Sequence, residues 1–294
     1  MAFDLKKLQA DLIKVGYLPK GADDGVWGEG SKRALKRFKR RSKTSMYRIH
    51  ADTKAPADAA VGGLYTGNVD DIVEQATIDH VANWIAKKWM APLGRFKLKS
   101  IGGGKLREDV ADAWATFATA ILGIGGIVNG PYGDTTRNLG KATKVGASSF
   151  SFHIVGRAVD INQGEKRYHL AKDFSSAGNF FRLYCKADKQ DATQGAKYEK
   201  DKLECWSFWG KNAYFIPAGY YIDITAQLDS DGNFERIPAH SGWESNTNKS
   251  EWWHFQWKKD KQATFEDECE LVGISTSDLK TAGYTNADMD KKPG

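Results

Sequence analysis

Two distant stretches of the chain each place a histidine close to a carboxylate: SFHIVGRAVDI, residues 151–161, and SEWWHFQW, residues 250–257. The chain has only 6 His in 294 residues. If residues 157–162 form a strand, Ala158 and Asp160 lie on one face. Because Gly156 lets the chain turn, His153 on the incoming arm converges with Asp160. The small Ala158 leaves room for a metal close to the backbone.

The second stretch offers a further histidine, His254, and a carboxylate, Glu251. Residues three apart in a straight strand face opposite sides, so we expect Glu251 on the preceding loop, curling back. Three ligands of this type leave a fourth zinc position for water, and a free carboxylate takes the proton of that water. The competing interpretation is structural, with two strands whose polar residues face solvent.

Both stretches carry the motifs of a known family. The first matches S-x-H-x-x-G-x-A-x-D and the second matches E-x-x-H, in the family's order, at Ser151, His153, Gly156, Ala158, Asp160, Glu251 and His254. The chain therefore resembles the zinc D-alanyl-D-alanine carboxypeptidase and dipeptidase family. The resemblance implies one Zn²⁺ per chain, held by His153, Asp160 and His254, with Glu251 as the catalytic base.

The same resemblance suggests further site residues. Relatives use an upstream arginine to stabilise the oxyanion, and Arg137 in GPYGDTTRN takes that place, although the usual Ser-Gly-Tyr-Arg form is absent. Ser151 is expected to support the site through a hydrogen bond. We expect His240 and Trp252 to line the substrate cleft; the alternatives are a plain loop histidine and a core tryptophan, with Trp253 facing the cleft instead.

The beginning of the chain resembles a peptidoglycan-binding module of the L-Q-x-x-L…G-Y…D-G-x-W-G…A…F type. The matching residues are Leu8, Gln9, Leu12, Gly16, Tyr17, Asp24, Gly25, Trp27, Gly28, Ala34 and Phe38. Such modules are three-helix bundles that hold wall peptides in a shallow groove. The resemblance implies that Tyr17, Asp24 and Trp27 bind substrate; the alternative is a helical bundle without a ligand.

The net charge of +6 and pI of about 9.0 suit anionic partners. The segment KRALKRFKRRSK, residues 32–43, predicts a helix with a basic face. We expect this face to contact anionic wall polymer or outer-membrane lipid, and we expect no nucleic acid partner.

The predicted fold class is α+β. Residues 1–45 form the bundle, 46–70 a linker and 71–294 a zinc peptidase domain with a central antiparallel sheet. A short helix is predicted near residues 171–187. Hydrophobic residues make up 41% and charged residues 27% of the chain, as in folded soluble proteins. The three cysteines are expected to be free thiols, with a Cys185–Cys205 pair as the alternative.

These features predict a peptidoglycan hydrolase, similar to a modular phage endolysin, that cleaves an amide of the peptide stem or cross-link. One alternative is a D-alanyl-D-alanine dipeptidase or carboxypeptidase acting on wall precursors; the other is a non-catalytic wall-binding protein. The first residues, MAFDLKKLQADLIKVG, lack the apolar core of a signal peptide. We expect synthesis in the host cytoplasm, release to the periplasmic wall through a holin-like pore, and a monomer.

Overall fold

The computed structural model describes residues 3–56, 63–128, 130–139, 150–172, 180–206, 213–259 and 263–292. These ranges contain eight α-helices and thirteen strands, so the predicted α+β class is confirmed. The helices are α1 (Leu5–Lys14), α2 (Glu29–Arg41), α3 (Gln75–Ala86), α4 (Glu108–Gly123), α5 (Ile224–Asp231), α6 (Phe265–Leu271), α7 (Thr276–Thr281) and α8 (Asn286–Met289).

The strands pair in an antiparallel manner. They are β1 (Ile49–His50), β2 (Trp89–Met90), β3 (Leu98–Ser100), β4 (Lys105–Arg107), β5 (Ala158–Asp160), β6 (Tyr168–Lys172), β7 (Phe181–Lys186), β8 (Ala196–Tyr198), β9 (Glu204–Trp206), β10 (Ala213–Phe215), β11 (Gly219–Asp223), β12 (Phe234–Glu235) and β13 (His254–Trp257). No helix within the described ranges has the length and apolar character that crossing a membrane requires.

The chain divides into two compact units, and the division differs from the predicted domain boundaries. Unit 1 comprises Met1–Phe96 and Glu266–Thr281, and unit 2 comprises Lys97–Phe265 and Ala282–Gly294. The C-terminal part of the chain therefore contributes to the N-terminal unit, a long-range contact that local sequence patterns do not reveal.

The hydrophobic core of unit 1 includes α3, so this unit extends beyond residue 45. Helix α1 begins at an N-cap, Asp4, whose side chain accepts a hydrogen bond from the backbone N–H of Lys7 at 2.9 Å. Its Leu8 and Leu12 form one buried cluster with Phe38 of α2 and Trp84 of α3. Residues 3–45 hold two α-helices, and the third helix in this cluster is α3, which lies within the predicted peptidase domain.

The predicted linker is part of unit 1 where the structure describes it. Strand β1 pairs with β2, and Ile49 lies opposite Met90. Tyr65 is buried, and its hydroxyl lies 3.1 Å from that of Thr77 on α3. This segment is poor in large apolar residues, but its aromatic side chains Tyr47 and Tyr65 are buried.

The arginines of the basic helix α2 pair with acidic side chains of α6. Arg33 and Arg37 pair with Glu266 of α6, at 2.6 and 3.2 Å. Arg40 and Arg41 both pair with Asp267. An acidic helix of the same unit thus pairs with four arginines of the basic segment, whereas Lys36 and Lys43 are exposed. The contact with anionic polymer stays a prediction, with these lysines as the available charges.

Unit 2 contains a six-stranded sheet of order β10-β9-β6-β7-β11-β8, a three-stranded sheet of order β12-β13-β5 and the β3–β4 hairpin. Its core is built around Trp114 of α4, whose ring meets Phe234 and Phe255 edge to face at 5.3 and 5.8 Å. Helix α4 thus covers one face of the β12-β13-β5 sheet and leaves the other face available for polar residues.

The helix predicted near residues 171–187 is wrong. The described residues there form β6 and β7, which pair in register with Leu170 opposite Leu183. Alternate residues such as Leu170, Leu183 and Cys185 face the core, and this cross-strand packing outweighs the local helical pattern. Residues 173–179 lie outside the described ranges. The three cysteines are free thiols, as predicted, and the structure buries all of them.

Candidate metal centre

Strand pairing brings two of the predicted ligands together. Strands β5 and β13 are antiparallel neighbours in which His254 lies directly opposite Asp160. Their side chains meet, with His254 Nδ1 3.0 Å from Asp160 Oδ1. The adjacent residues Val159 and Phe255 face the hydrophobic core. The period of two along each strand therefore places the core on one face of the sheet and the ligands on the other.

A tight turn delivers the third ligand. Residues Phe152–Val155 form a 3-10 turn that ends at Gly156, which has left-handed backbone angles, φ 65° and ψ 32°. The Gly156 carbonyl accepts a hydrogen bond from Arg107 N at 2.9 Å, which fixes the turn. His153 consequently enters the site, with its Nε2 3.2 Å from both Asp160 Oδ1 and His254 Nδ1.

The three ligand atoms form a nearly equilateral triangle. All three residues are buried, and this is the one group of its kind that the described ranges contain. A tetrahedral ion at about 2.0–2.2 Å from each ligand needs ligand atoms about 3.3–3.6 Å apart. The distances of 3.0–3.2 Å fall just short of this, so a small outward movement admits the ion.

The outer nitrogens of the two imidazoles face oxygen acceptors. His153 Nδ1 lies 3.3 Å from the Thr135 carbonyl, and His254 Nε2 lies 3.3 Å from Gln256 Oε1. A neutral ring satisfies its outer contact when its proton is on the outer nitrogen. In that tautomer the inner nitrogen directs its lone pair to the point that the three ligand atoms surround. Three electron-rich atoms facing one point fit a cation, and the N₂O donor set is one that zinc accepts.

Asp160 is held as a carboxylate. Burial favours its neutral form and raises its pKa. When His153 and His254 carry protons on their inner nitrogens, their hydrogen bonds and positive charges outweigh this effect and hold the pKa of Asp160 below its ordinary value. The charged form is the one that a metal requires.

The ligands lie in the wall of a cavity of about 1290 Å³. Glu251, Arg137, Ser151, His240 and Trp253 line the same cavity. A cavity of this size is large enough to hold several residues of a peptide. The structure thus gathers most of the predicted catalytic-domain residues at one surface.

Glu251 lies in the turn that precedes β13, as the sequence predicts. Its backbone is in the left-handed region, φ 44° and ψ 41°, which is costly for a residue with a side chain. The turn is closed by a hydrogen bond of 2.8 Å from His254 N to the Glu251 carbonyl. Glu251 is thereby kept next to the ligand strand without being part of the strand.

Arg137 belongs to a segment that is bonded to the ligands through its main chain. Arg137 N donates to the His153 carbonyl at 3.2 Å, and Asp160 N donates to the Asp134 carbonyl at 2.8 Å. The Arg137 side chain donates from Nε to the Asp134 carboxylate. The guanidinium is therefore oriented at the cavity wall, near the ligands.

The remaining predicted residues of this unit are divided between cavity and core. Ser151 is buried and His240 is exposed, and both line the cavity. Trp252 is 2% exposed and packs on Tyr168 in the core, so its predicted substrate-binding role is corrected. Trp253 lines the cavity instead, because the two rings point to different sides of the turn.

The three residues of unit 1 that are predicted to bind the wall differ in their exposure to solvent. Tyr17 is 3% exposed and packs on Phe38, so it is a core residue and not a contact residue. Asp24 is exposed, and its carboxylate accepts from Val26 N at 2.8 Å. Trp27 is half-buried. Of this set, only Asp24 and Trp27 are available to a ligand.

Three polar residues shape these sites in roles that the sequence does not predict, although Gln9 is one of the motif residues. Gln9 holds the loop of unit 1, since its side chain accepts from Gly25 N at 2.7 Å and donates to Asp24 Oδ1 at 3.1 Å. Gln256 bonds His254, and Glu235 bonds Gln256. The spacing of two between His254 and Gln256 was a usable signal, because alternate residues share a strand face. Nothing in the sequence points to Glu235.

Comparison with known proteins does not assign a family: no protein-family model, curated protein or solved structure matches this chain.

Proposed function

We propose that the chain is a zinc-dependent peptidoglycan hydrolase of the endolysin type, which cuts an amide bond in the peptide stem or cross-link. The observation that carries this proposal is the convergence of His153, Asp160 and His254 in a cavity that Glu251 also lines. A structural metal site is normally closed by four protein ligands, whereas a catalytic site has three and opens to solvent.

His153, Asp160 and His254 would hold the ion. When bound, zinc supplies Lewis acidity toward water and toward the carbonyl of the scissile amide. The protein contributes the correct protonation state, since the outer nitrogens of both histidines are occupied by hydrogen bonds and the carboxyl is ionised.

Glu251 serves as the general base and then as the general acid. Its carboxylate lies outside the triangle of ligands but in the same cavity, so it is free to take a proton from the attacking water. The amine formed when the C–N bond breaks needs a proton to leave, and Glu251 returns the one it accepted.

Arg137 stabilises the negative charge that develops on the carbonyl oxygen. A fixed guanidinium is suited to this role because it needs no reorganisation during the reaction. The bond to Asp134 and the main-chain bond to His153 supply that fixed position.

Unit 1 is proposed to hold the enzyme on the cell wall. Support comes from the loop around Asp24, which Gln9 fixes, and from Trp27 and the exposed Val26 beside it. A wall-binding unit raises the concentration of the hydrolytic unit at its insoluble substrate.

The deciding experiment compares Glu251→Gln with the parent on purified cell walls. We expect release of new amino groups to fall 10²- to 10⁴-fold, roughly the contribution of one acid–base group. Zinc content should stay at one ion per chain. Glu204→Gln, an exposed glutamate on β9, is the matched control and should behave like the parent.

Three results would contradict the proposal. Parent-like wall cleavage by Glu251→Gln would remove the catalytic base. Parent activity on D-alanyl-D-alanine precursors but not on intact walls would identify a dipeptidase or carboxypeptidase. Wall binding without cleavage of either substrate, at full zinc occupancy, would identify a non-catalytic wall-binding protein. Mass spectrometry of the released fragments would identify the scissile bond.

A further inference from the structure

The sheet that carries the metal ligands also carries a hydrogen-bonded chain leading away from them. On β13, Gln256 follows His254 by two residues and shares its face. On the neighbouring strand β12, Glu235 lies directly opposite Gln256. The three side chains His254, Gln256 and Glu235 thus form a row across the sheet, on the face that lines the cavity.

The bonds within this row have a defined direction. Gln256 is 4% exposed, and its Nε2 donates to Glu235 Oε1 at 2.9 Å. A carboxylate only accepts, so the amide nitrogen of Gln256 must face Glu235 and the amide oxygen must face His254. The 3.3 Å contact between that oxygen and His254 Nε2 then requires a proton on Nε2.

We propose that Gln256 and Glu235 are positioning residues for the metal site, which together select Nδ1 of His254 as the ligand atom. The inference rests on the metal site of the proposed function. Glu235 fixes the rotamer of the Gln256 amide, and Gln256 fixes the tautomer and orientation of the imidazole. The negative charge of Glu235 also increases the basicity of the ligand nitrogen through the same chain.

The two histidines differ in the kind of group that their outer nitrogens contact. Its outer nitrogen bonds a main-chain carbonyl, that of Thr135, which no side-chain substitution removes. The orientation of His254, in contrast, depends on a side chain. Loss of such an outer partner typically costs 10- to 100-fold in metal affinity.

The experiment measures zinc affinity of the full chain by competition with a chromophoric chelator. We expect Gln256→Leu to bind zinc about 10- to 100-fold more weakly than the parent. Gln163→Leu is the matched control, because Gln163 lines the same cavity but lies on the loop after β5 and is more than a third exposed. We expect the control to bind like the parent.

A second variant exchanges the two groups: Gln256→Glu combined with Glu235→Gln. The new carboxylate accepts from His254, and the new amide donates to that carboxylate, so every hydrogen bond of the row is retained in kind. We expect the exchange to restore affinity to within about 5-fold of the parent, a margin below the loss for a missing partner. The visible spectrum of the cobalt-substituted protein should also return to that of the parent, whereas Gln256→Leu should alter it.

The outcomes separate this inference from the proposed function. If the parent binds zinc and Gln256→Leu binds it equally well with an unchanged cobalt spectrum, the positioning role is wrong while the metal site stands. If Gln256→Leu does not fold, the exchanged variant decides: weak binding by that folded variant overturns the inference. If the folded parent binds no metal, both the site and the row fail together.

Discussion

His254 and Asp160 face each other across an antiparallel strand pair, with 3.0 Å between His254 Nδ1 and Asp160 Oδ1, although 94 positions separate them in the chain. His153 approaches the same point from a tight turn. The geometry of the site thus depends on one strand register and one turn, and both can be perturbed separately from the ligands.

The turn is the first target. Gly156→Ala adds a Cβ at φ +65°, where it would lie 2.7 Å from Arg107 N, so either the turn or the β4 backbone must shift. We expect a loss of roughly 1–3 kcal/mol in the free energy of unfolding from the left-handed backbone alone. We also expect weaker zinc binding, because His153 is displaced. Chemical denaturation and zinc titration measure the two effects.

Gly232→Ala is the control for this substitution. Gly232 also has positive φ, +72°, but a Cβ there meets nothing within 4 Å. We expect the backbone penalty without the loss of zinc affinity. Equal zinc affinity in both variants would show that Gly156 does not position His153.

Arg137→Lys tests the proposed oxyanion contact. Lysine keeps the charge but loses the planar guanidinium that Asp134 orients. We expect kcat for wall cleavage to fall about 10²- to 10³-fold, as for the loss of one oxyanion donor, with zinc affinity unchanged. Steady-state kinetics on a soluble wall peptide measures this. A rise in KM at constant kcat would instead make Arg137 a substrate-binding residue.

Trp27→Ala tests the wall-binding role of unit 1. We expect less protein to pellet with purified walls. Because Trp27 is half-buried and packs against the core of unit 1, the substitution also lowers the free energy of unfolding, so pelleting is compared under conditions where the variant is folded. Tyr17→Phe is the matched control: the Tyr17 hydroxyl is buried without a hydrogen-bond partner among the described residues, so its removal should alter neither stability nor binding. Reduced pelleting of Tyr17→Phe would contradict its assignment to the core.

The buried carboxylates of α6 predict how unit 1 responds to acid. Burial by itself would raise the pKa of Glu266. The positive charges of Arg37, Arg41 and Arg33 have the larger, opposite effect, so the folded-state pKa of Glu266 lies below its ordinary value. The unfolded chain therefore binds the proton more readily. The stabilisation is complete above the unfolded pKa of about 4.3 and is lost as pH falls through the folded value.

We expect Glu266→Gln to be less stable than the parent by roughly 3 kcal/mol at pH 7, since a buried ion pair is broken. The gap should narrow as pH falls below the unfolded-state pKa of about 4.3, because the unfolded parent then binds a proton at Glu266 more readily than the folded parent does. Urea denaturation at pH 7, 5 and 3.5, followed by tryptophan fluorescence, measures the gap. If the difference in stability between the parent and Glu266→Gln stays constant from pH 7 to pH 3.5, protonation of Glu266 is not linked to folding.

The local patterns were reliable where one short segment determines its own conformation. The alternation in residues 158–161 correctly placed Val159 in the core and Asp160 on the opposite face, and Gly156 ends a tight turn as predicted. The expectation that Glu251 precedes its strand also holds, because a spacing of three is incompatible with one face of a strand.

The predictions from sequence were wrong where contacts with distant parts of the chain determine the local conformation. A helical pattern near residue 171 gave way to β6 and β7 because the sheet and α4 bury the same side chains more completely. Trp252 and Trp253 have the same chemistry and adjacent positions, so only packing assigns one to the core and the other to the cavity.

The sequence by itself determined which side chains could act: two histidines, an aspartate and a glutamate with zinc-site chemistry, at spacings that match strand and turn periodicity. Tertiary structure decided what surrounds them. The pairing of β13 with β12 put Glu235 beside Gln256, and α6 neutralised the arginines of α2. Such contacts join residues tens to hundreds of positions apart, and their energies depend on burial and distance, which exist only once the chain has folded.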